Sequence, residues 1–534
     1  MKKLQLLIIL IFSFGLAQAQ ITGEFKNFDP KKHSDIDVQL NYYSAIDREY
    51  LTIITTPDEN GNFKIDLPYK NAVDLCFFSV EDIIFTTLVV DKGLHITLNA
   101  KAKHLIPSFL SGKKSIFSGP DSEATIYFNK ISKIKASDYN KRQSDIVFHS
   151  KDSAHIRSKQ LEVAFQKHIA KLDKYIARHP SPYAKIARDD DYASYYSRQL
   201  IINWGKPVPD ALLNEILSYN PSHSSMYTAD VYSYLFNNLF YGDRDVYDHQ
   251  TKITIWNLLG PDEREDFGLW FTEMRKKNKQ EQYDEKLYQS GKSKFLDKYA
   301  NEVYAVHLAK YLEKIESLTL ASKDKLLIGG IPSAEHRKAY IQKTKPLLQT
   351  QEAKILYTAI EEQSEGTETK LQVMRVKTDE KLPLGKLEAA NDDVSMYVAE
   401  HDSLNILLTA IQQTYPDKVI ILDIWGTWCG PCRNDIKASK QKIAELKANN
   451  IEVVYLCEGR NSSKAAWMEA VVKMEMTGTQ IFMSPTLSAQ FLERFNVTGY
   501  PSHIFIDTKG EYHTDEEHFL QGLGVEEVVK EYRK

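Results

Sequence analysis

Apolar and polar positions change their period along the chain. From Gln20 to about Ala100 the period is two. Asp37-Val38-Gln39-Leu40-Asn41-Tyr42 and Phe63-Lys64-Ile65-Asp66-Leu67 alternate as half-buried strands do, and Thr52-Ile53-Ile54-Thr55 is β-branched. Leu94-His95-Ile96-Thr97-Leu98 alternates again, and Glu59-Asn60-Gly61-Asn62 and Asp91-Lys92-Gly93 read as the turns between such strands. Short strands punctuated this way predict a β-sandwich-like domain over residues 20–110.

Ser118-Gly119-Pro120-Asp121 marks a switch to helical spacing, which predicts an all-α domain over residues 121–363. Ser153 to Ala177 carries Leu161, Val163, Ala164, Phe165 and Ile169, and Tyr299 to Ile315 carries Val303, Val306, Leu308 and Leu312. Breaks fall at His179-Pro180-Ser181-Pro182, Gly205-Lys206-Pro207, Asn220-Pro221 and Gly260-Pro261, with no fixed repeat, so a regular solenoid is not supported. Tyr192, Tyr195 and Tyr196 read as packing between helices, with a ligand groove as the alternative. The polar stretch Ser364 to Lys370 reads as a connector and Leu371 to Val376 as a strand-like piece, within a linker over residues 364–393. A helix with Leu404, Leu407, Leu408 and Ile411 then leads into a last domain, residues 394–534.

That domain holds the chemistry. Val419-Ile420-Ile421-Leu422-Asp423-Ile424-Trp425 is short, β-branched and apolar on both faces, the pattern of a buried central strand. Trp428-Cys429-Gly430-Pro431-Cys432 follows, then an amphipathic helix from Arg433 to Asn449 with Ile436, Ile443 and Leu446. A helix N-terminus offers free N–H groups and a positive dipole end, which stabilise a thiolate. Two of the four cysteines lie in this motif, and no second CxxC or CxxH completes a zinc site. Cys76 and Cys457 lie in apolar strands and read as buried small hydrophobes.

These residues resemble the thioredoxin superfamily, and more narrowly the TlpA/ResA-like thiol–disulfide oxidoreductases of Bacteroidetes type. The resemblance rests on Asp423, Trp425, Trp428 to Cys432, Arg433, and Val497-Thr498-Gly499-Tyr500-Pro501-Ser502, and covers roughly the last quarter of the chain. The β-rich start resembles, in order and pattern, the domain that precedes thioredoxin domains in exported Bacteroidetes proteins. The resemblance implies a multidomain chain ending in an α/β thioredoxin-like domain. It implies that Cys429 is the exposed nucleophile and Cys432 the shielded resolving thiol. Asp423, six residues before Cys429, is implied as the buried acid that serves Cys432 as general base. Pro501 is implied to be cis, with Tyr500 and Trp428 beside the substrate peptide. Gly430-Pro431 is the dipeptide of reducing thioredoxins. It favours a potential nearer about −270 mV than the about −120 mV of a strong oxidant. Asp435 stands where TlpA-like proteins commonly carry glutamate, and Lys437 where a kinking proline is usual, so a straighter helix is expected. The chain between dithiol and Pro501 is long, and Ser463 to Phe491 reads as an added helix beside the site.

Lys2 and Lys3, the apolar run Leu4 to Leu16 and Ala17-Gln18-Ala19 have the form of an export signal over residues 1–19. No cysteine follows the cleavage site, which argues against lipid attachment. A periplasmic, oxidising location is the expectation. The net charge of −4 on 534 residues excludes nothing structural but makes nucleic acid a poor partner. His223, His249, His307 and His336 lack ligand partners at useful spacing, so neither metal nor cofactor is expected. The expected partners are disulfide-bearing proteins, apocytochrome c among the family's classes, and a membrane electron donor of the DsbD/CcdA type. A homodimer through the two N-terminal domains is compatible with the sequence. A disulfide oxidase or isomerase, or a binding protein whose thioredoxin domain serves one partner, are the competing readings.

Overall fold

The alternating stretches near the N-terminus are strands in the computed structural model, which describes residues 20–33, 36–67, 73–106, 115–135, 138–242, 244–279, 281–316, 318–332, 334–376, 381–401, 403–514 and 519–533. The export-signal stretch lies outside the described residues. The chain divides into two compact units. One holds nearly everything up to Tyr357; the other comprises Ile46–Ile54, Ser333–Glu335 and Thr358–Lys534.

Eight strands open the chain: β1 (Gln20–Lys26), β2 (Val38–Ser44), β3 (Glu49–Thr55), β4 (Asn62–Asp66), β5 (Asp74–Val80), β6 (Ile84–Val90), β7 (Leu94–Asn99) and β8 (Phe117–Ser118). They form two sheets, ordered β4-β1-β7-β8 and β3-β2-β5-β6. Every second residue of β2, β4 and β7 is buried, as the period of two requires. Phe63 and Phe78, on different sheets, stack with centroids 6.2 Å apart, which is the packing of a sandwich. Asp121 closes the Asp91–Gly93 turn: one carboxyl oxygen accepts the N–H groups of Asp91, Lys92 and Gly93 at 2.8, 2.8 and 2.7 Å.

Helices fill residues 122–374. Among them α1 (Ala154–Arg178), α2 (Ala184–Ile202) and α3 (Met226–Tyr241) bury Leu161, Phe165, Leu200 and Leu235. Val163 stands outside that stripe and is half exposed. Tyr195 stacks on Phe165 at 4.2 Å, Tyr192 meets the same ring edge to face at 5.0 Å, and Tyr195 and Tyr196 are buried, so these rings pack between helices.

The expected linker is not a linker. α4 (Gln351–Met374) runs straight through Ser364–Lys370, and Leu371 is a buried helical residue, not part of a strand. Its buried stripe passes Leu356, Ile360, Thr367 and Leu371. A threonine sits where an apolar residue would have shown the period, and the other positions are solvated, so polarity hid the helix. β9 (Lys381–Leu382) and β10 (Gly385–Ala390), also within the expected linker, belong to the C-terminal sheet.

That sheet continues with β11 (Val394–Val398), β12 (Val419–Trp425), β13 (Ile451–Cys457), β14 (Gly478–Phe482), β15 (Ser502–Ile506) and β16 (Tyr512–Thr514) in the order β16-β15-β12-β13-β14-β11-β10-β9. β11, β14, β13 and β12 are parallel, and β15 returns antiparallel to β12. Every residue of β12 is buried, because both faces are covered. Ile420, Leu422 and Ile424 pack with Leu404, Leu407 and Ile411 of α5 (Leu404–Thr414). Val419, Ile421 and Trp425 pack on the other face with Cys429, Cys432, Tyr455 and Trp467. The segment before Pro501 adds α8 (Lys464–Lys473), β14 and α9 (Pro485–Arg494) after α6 (Gly430–Ala438) and α7 (Lys440–Ala448); α10 (Val525–Tyr532) closes the chain. β14 enters the sheet between β13 and β11, and Trp467 of α8 joins the core around the dithiol. Among the described residues no helix is long and apolar enough to cross a membrane.

Candidate active site

β12 delivers the chain to a sharp turn, and α6 starts at Gly430 with Cys429 as its N-cap. The Cys429 sulfur accepts the Cys432 N–H at 3.2 Å, so it faces the free donors of the helix start. Pro431 sits in the first turn, where a missing N–H costs nothing. Cys429 and Cys432 are joined as a disulfide with Cα atoms 5.4 Å apart. The two are buried to 3% and 1%, so Cys429 is not the exposed thiol that was expected. It belongs to the apolar cluster of Trp425, Ile436 and Trp467, and Tyr500 packs against that cluster.

Beside the disulfide, Trp428 is half exposed and meets Tyr500 edge to face at 5.2 Å. The Tyr500–Pro501 peptide is cis, and Pro501 is buried. Trp428 and the residues before Pro501 thus line one rim of the dithiol.

Asp423 shares the dithiol face of β12 with Ile421 and Trp425 and is 1% exposed. Its carboxyl oxygens accept no hydrogen bond among the described residues. Burial first, and the nearby Asp435 second, push its pKa well above the ordinary carboxylate range. That environment suits a group that exchanges a proton with a shielded thiol.

The helix does not run straight from Arg433 to Asn449. It turns at Ser439, between α6 and α7, although Lys437 replaces a proline. A buried polar pair lies at the break: the Ser439 hydroxyl donates to Asp435 at 3.2 Å, and Asp435 also accepts the Leu520 N–H at 2.9 Å.

Two residues here were missed by sequence reasoning. Glu458, just past β13, is fully buried and accepts from Trp428 Nε1 at 2.7 Å, Asn461 N at 3.1 Å, and Arg460 N and Nε at 3.1 and 3.4 Å. Four donors converge on it, the set a carboxylate satisfies. Nearby, Ser462 accepts the Thr427 N–H at 3.0 Å, so the segment after β13 holds the turn that carries the motif. The second is His503, two residues past Pro501 and buried. The only available signals were a glutamate ending an apolar strand and a histidine inside one.

The remaining cysteines are buried thiols. Burial raises the pKa of Cys76 well above the thiol range, with Asp74 adding to it, and does the same for Cys457. Asp507, Glu511 and His513 bring ligand atoms within 4.8 Å at the β15–β16 turn. There Asp507 already accepts from Lys509 N and Glu511 N and pairs with His513.

Residues 398–518 match the Redoxin family model. Among solved structures, the chain is similar to the thioredoxin domain of a thiol–disulfide oxidoreductase from Bacteroides vulgatus (16% identity, 23% of this chain and 84% of that one, TM-score 0.20). It is also similar to a thiol:disulfide interchange protein from Bacteroides sp. (17% identity, 23% and 77%, TM-score 0.20). A thioredoxin family thiol:disulfide interchange protein from Chlorobium tepidum is a third (18% identity, 23% and 85%, TM-score 0.20). The C-terminal unit thus contains the Redoxin match, on an α/β sheet consistent with a thioredoxin-like fold.

Proposed function

We propose that this chain is an exported thiol–disulfide oxidoreductase of the TlpA/ResA-like type, working as a reductase of protein disulfides. The observation that carries the reading is the Cys429–Cys432 disulfide at a helix N-terminus inside the Redoxin match. In the reductive half-reaction the Cys429 thiolate attacks a substrate sulfur, one substrate thiolate leaves, and a mixed disulfide forms. Cys432 then loses its proton toward Asp423 and attacks the Cys429 sulfur. The Cys429–Cys432 bond forms, the bond to substrate breaks, and the second substrate thiolate departs. Two electrons have passed from the dithiol to the substrate.

The half-exposed Trp428 and the Tyr500 backbone offer the rim on which an extended peptide lies. The Gly430-Pro431 dipeptide supports the reducing direction. A periplasmic site of action follows from the N-terminal export pattern, and recharging there requires a membrane dithiol donor of the DsbD/CcdA type.

The test is a redox equilibrium of the mature chain against glutathione or dithiothreitol buffers, with Cys429→Ser as control. A potential near about −270 mV, lost in the variant, is the expected result. A value near about −120 mV moves the assignment to disulfide formation. No titrating disulfide refutes the oxidoreductase reading.

A further inference from the structure

β12 and β15 run antiparallel with Asp423 directly opposite His503. Cross-strand neighbours point to one face of a sheet. That face is the dithiol's: Asp423 is in step with Ile421 and Trp425, and His503 with Phe505, all in the cluster around Cys429 and Cys432. His503 Nε2 lies 3.8 Å from Asp423 Oδ1, and the side chains are 0% and 1% exposed.

We propose that His503 is the proton partner of Asp423: the two buried groups hold one proton between them, and His503 thereby places Asp423 in the carboxylate form that accepts the proton of Cys432. This rests on the thiol–disulfide reading above, and His503 acts through Asp423 as a positioning residue.

The need for a partner comes from the site itself. Burial and Asp435 make an isolated Asp423 hold its proton, which leaves it a poor base. Passing that proton to the adjacent imidazole creates a carboxylate–imidazolium pair with no change in net charge where solvent does not reach. Cys432 Sγ–H then gives its proton to the carboxylate, and the new thiolate sits near an imidazolium. It attacks Cys429 Sγ, the Cys432–Cys429 bond forms, the Cys429–substrate bond breaks, and the substrate sulfur leaves as thiolate with the electron pair. The extra proton on the Asp423–His503 pair returns to water.

Other titratable groups face the pair. Tyr455 stands opposite Asp423 on β13, and burial with both aspartates pushes its phenol well above its ordinary value, so it stays neutral. Asp435 comes from α6, and Tyr532 of α10 stacks on Phe505. Neither tyrosine nor the second aspartate offers a cation to balance Asp423. His503 does.

Stopped-flow reaction of the reduced full-length chain with an aromatic disulfide, 5,5′-dithiobis(2-nitrobenzoate), separates the steps. The first coloured thiolate reports attack by Cys429, and the second reports resolution by Cys432. In His503→Leu and His503→Gln the pH midpoint of the second phase should rise by about one unit, an about tenfold slower phase at neutral pH, while the first phase is unmoved. In an Asp423→Asn background His503→Leu should change the second phase less than about twofold. A second-phase midpoint within about 0.3 unit of wild type, or an undiminished effect in the Asn background, overturns the inference.

Should the His503 variants fail to fold, wild type and Asp423→Asn with ¹³C-labelled histidine rings still decide. A His503 ring resonance identical in wild type and Asp423→Asn overturns the pairing, and a changed titration supports it. A wild type that releases no coloured thiolate sinks the oxidoreductase reading and this inference together. A wild type that releases both equivalents, with unmoved profiles in the variants, sinks this inference alone.

Discussion

Replacing Glu458 with glutamine should loosen the active-site rim without touching the dithiol. Glu458 is fully buried, and one carboxyl oxygen accepts from Trp428 Nε1 and Asn461 N, the other from Arg460 N and Nε. Glutamine has one acceptor oxygen, so one of these pairs must meet an NH2 group. Turning the NH2 toward Arg460 is cheaper, because that side chain is 41% exposed and its guanidinium can hydrate. The Arg460 backbone N–H, in a part-buried hydrogen bond, loses its acceptor, and leaving it unsatisfied costs about 1–3 kcal/mol. The surviving bonds lose their charge assistance, which removes roughly half their strength.

The sum is about 2–3 kcal/mol against local opening, or roughly 30- to 160-fold in the opening equilibrium. Hydrogen exchange followed by mass spectrometry reads this directly. Peptides spanning 425–433 and 456–463 should exchange faster by about that factor, while peptides from α1 and α2 do not change. With a protein disulfide substrate, the proposed docking role of Trp428 predicts that KM rises while kcat stays near wild type. Exchange unchanged within about threefold in both peptides would refute the account of Glu458 as the anchor of Trp428.

Asp423→Asn should stabilise the C-terminal unit increasingly as pH rises. On the proposed pairing, the native Asp423–His503 pair keeps one proton that the unfolded chain carries on histidine and releases at about pH 6.5, so the native chain binds more protons above that point, and stability is lost as pH climbs beyond about 6.5. The gain in the variant should grow by up to about 1.4 kcal/mol per pH unit; a difference in Tm that stays constant from about pH 6.5 upward contradicts it. Native chain exposed to iodoacetamide should leave Cys76 and Cys457 unlabelled until denaturant is added, and rapid labelling of either would show its burial to be wrong. Asp121→Ala strips three backbone N–H groups of their shared acceptor and should cost about 2–4 kcal/mol of stability in the β-rich region, read as accelerated exchange over 88–95.

The sequence by itself determined the order of a β-rich region, a helical region and a C-terminal α/β domain, and the place of the CxxC motif between a strand and a helix. Alternation from Val38 to Leu98 needs only a half-buried face, so period two was sufficient to find β2, β4 and β7. The dithiol was legible because both cysteines, the strand before them and the helix after them are contiguous, and local spacing dictates their geometry. Where the buried stripe is broken by a polar residue, as at Thr367 in α4, periodicity lost the element, and a helix read as a linker.

What the tertiary structure alone decided is which distant residues meet. Strand register, not sequence distance, sets His503 against Asp423, and it puts β14 between β13 and β11. The same folding buries Glu458 under Trp428 and links Asp435 to both Ser439 and Leu520 at the break between α6 and α7. These contacts bury polar groups that must find partners, and the partners come from other elements of the sheet and its flanks. Pattern along a chain records whether a position is buried, but not against what.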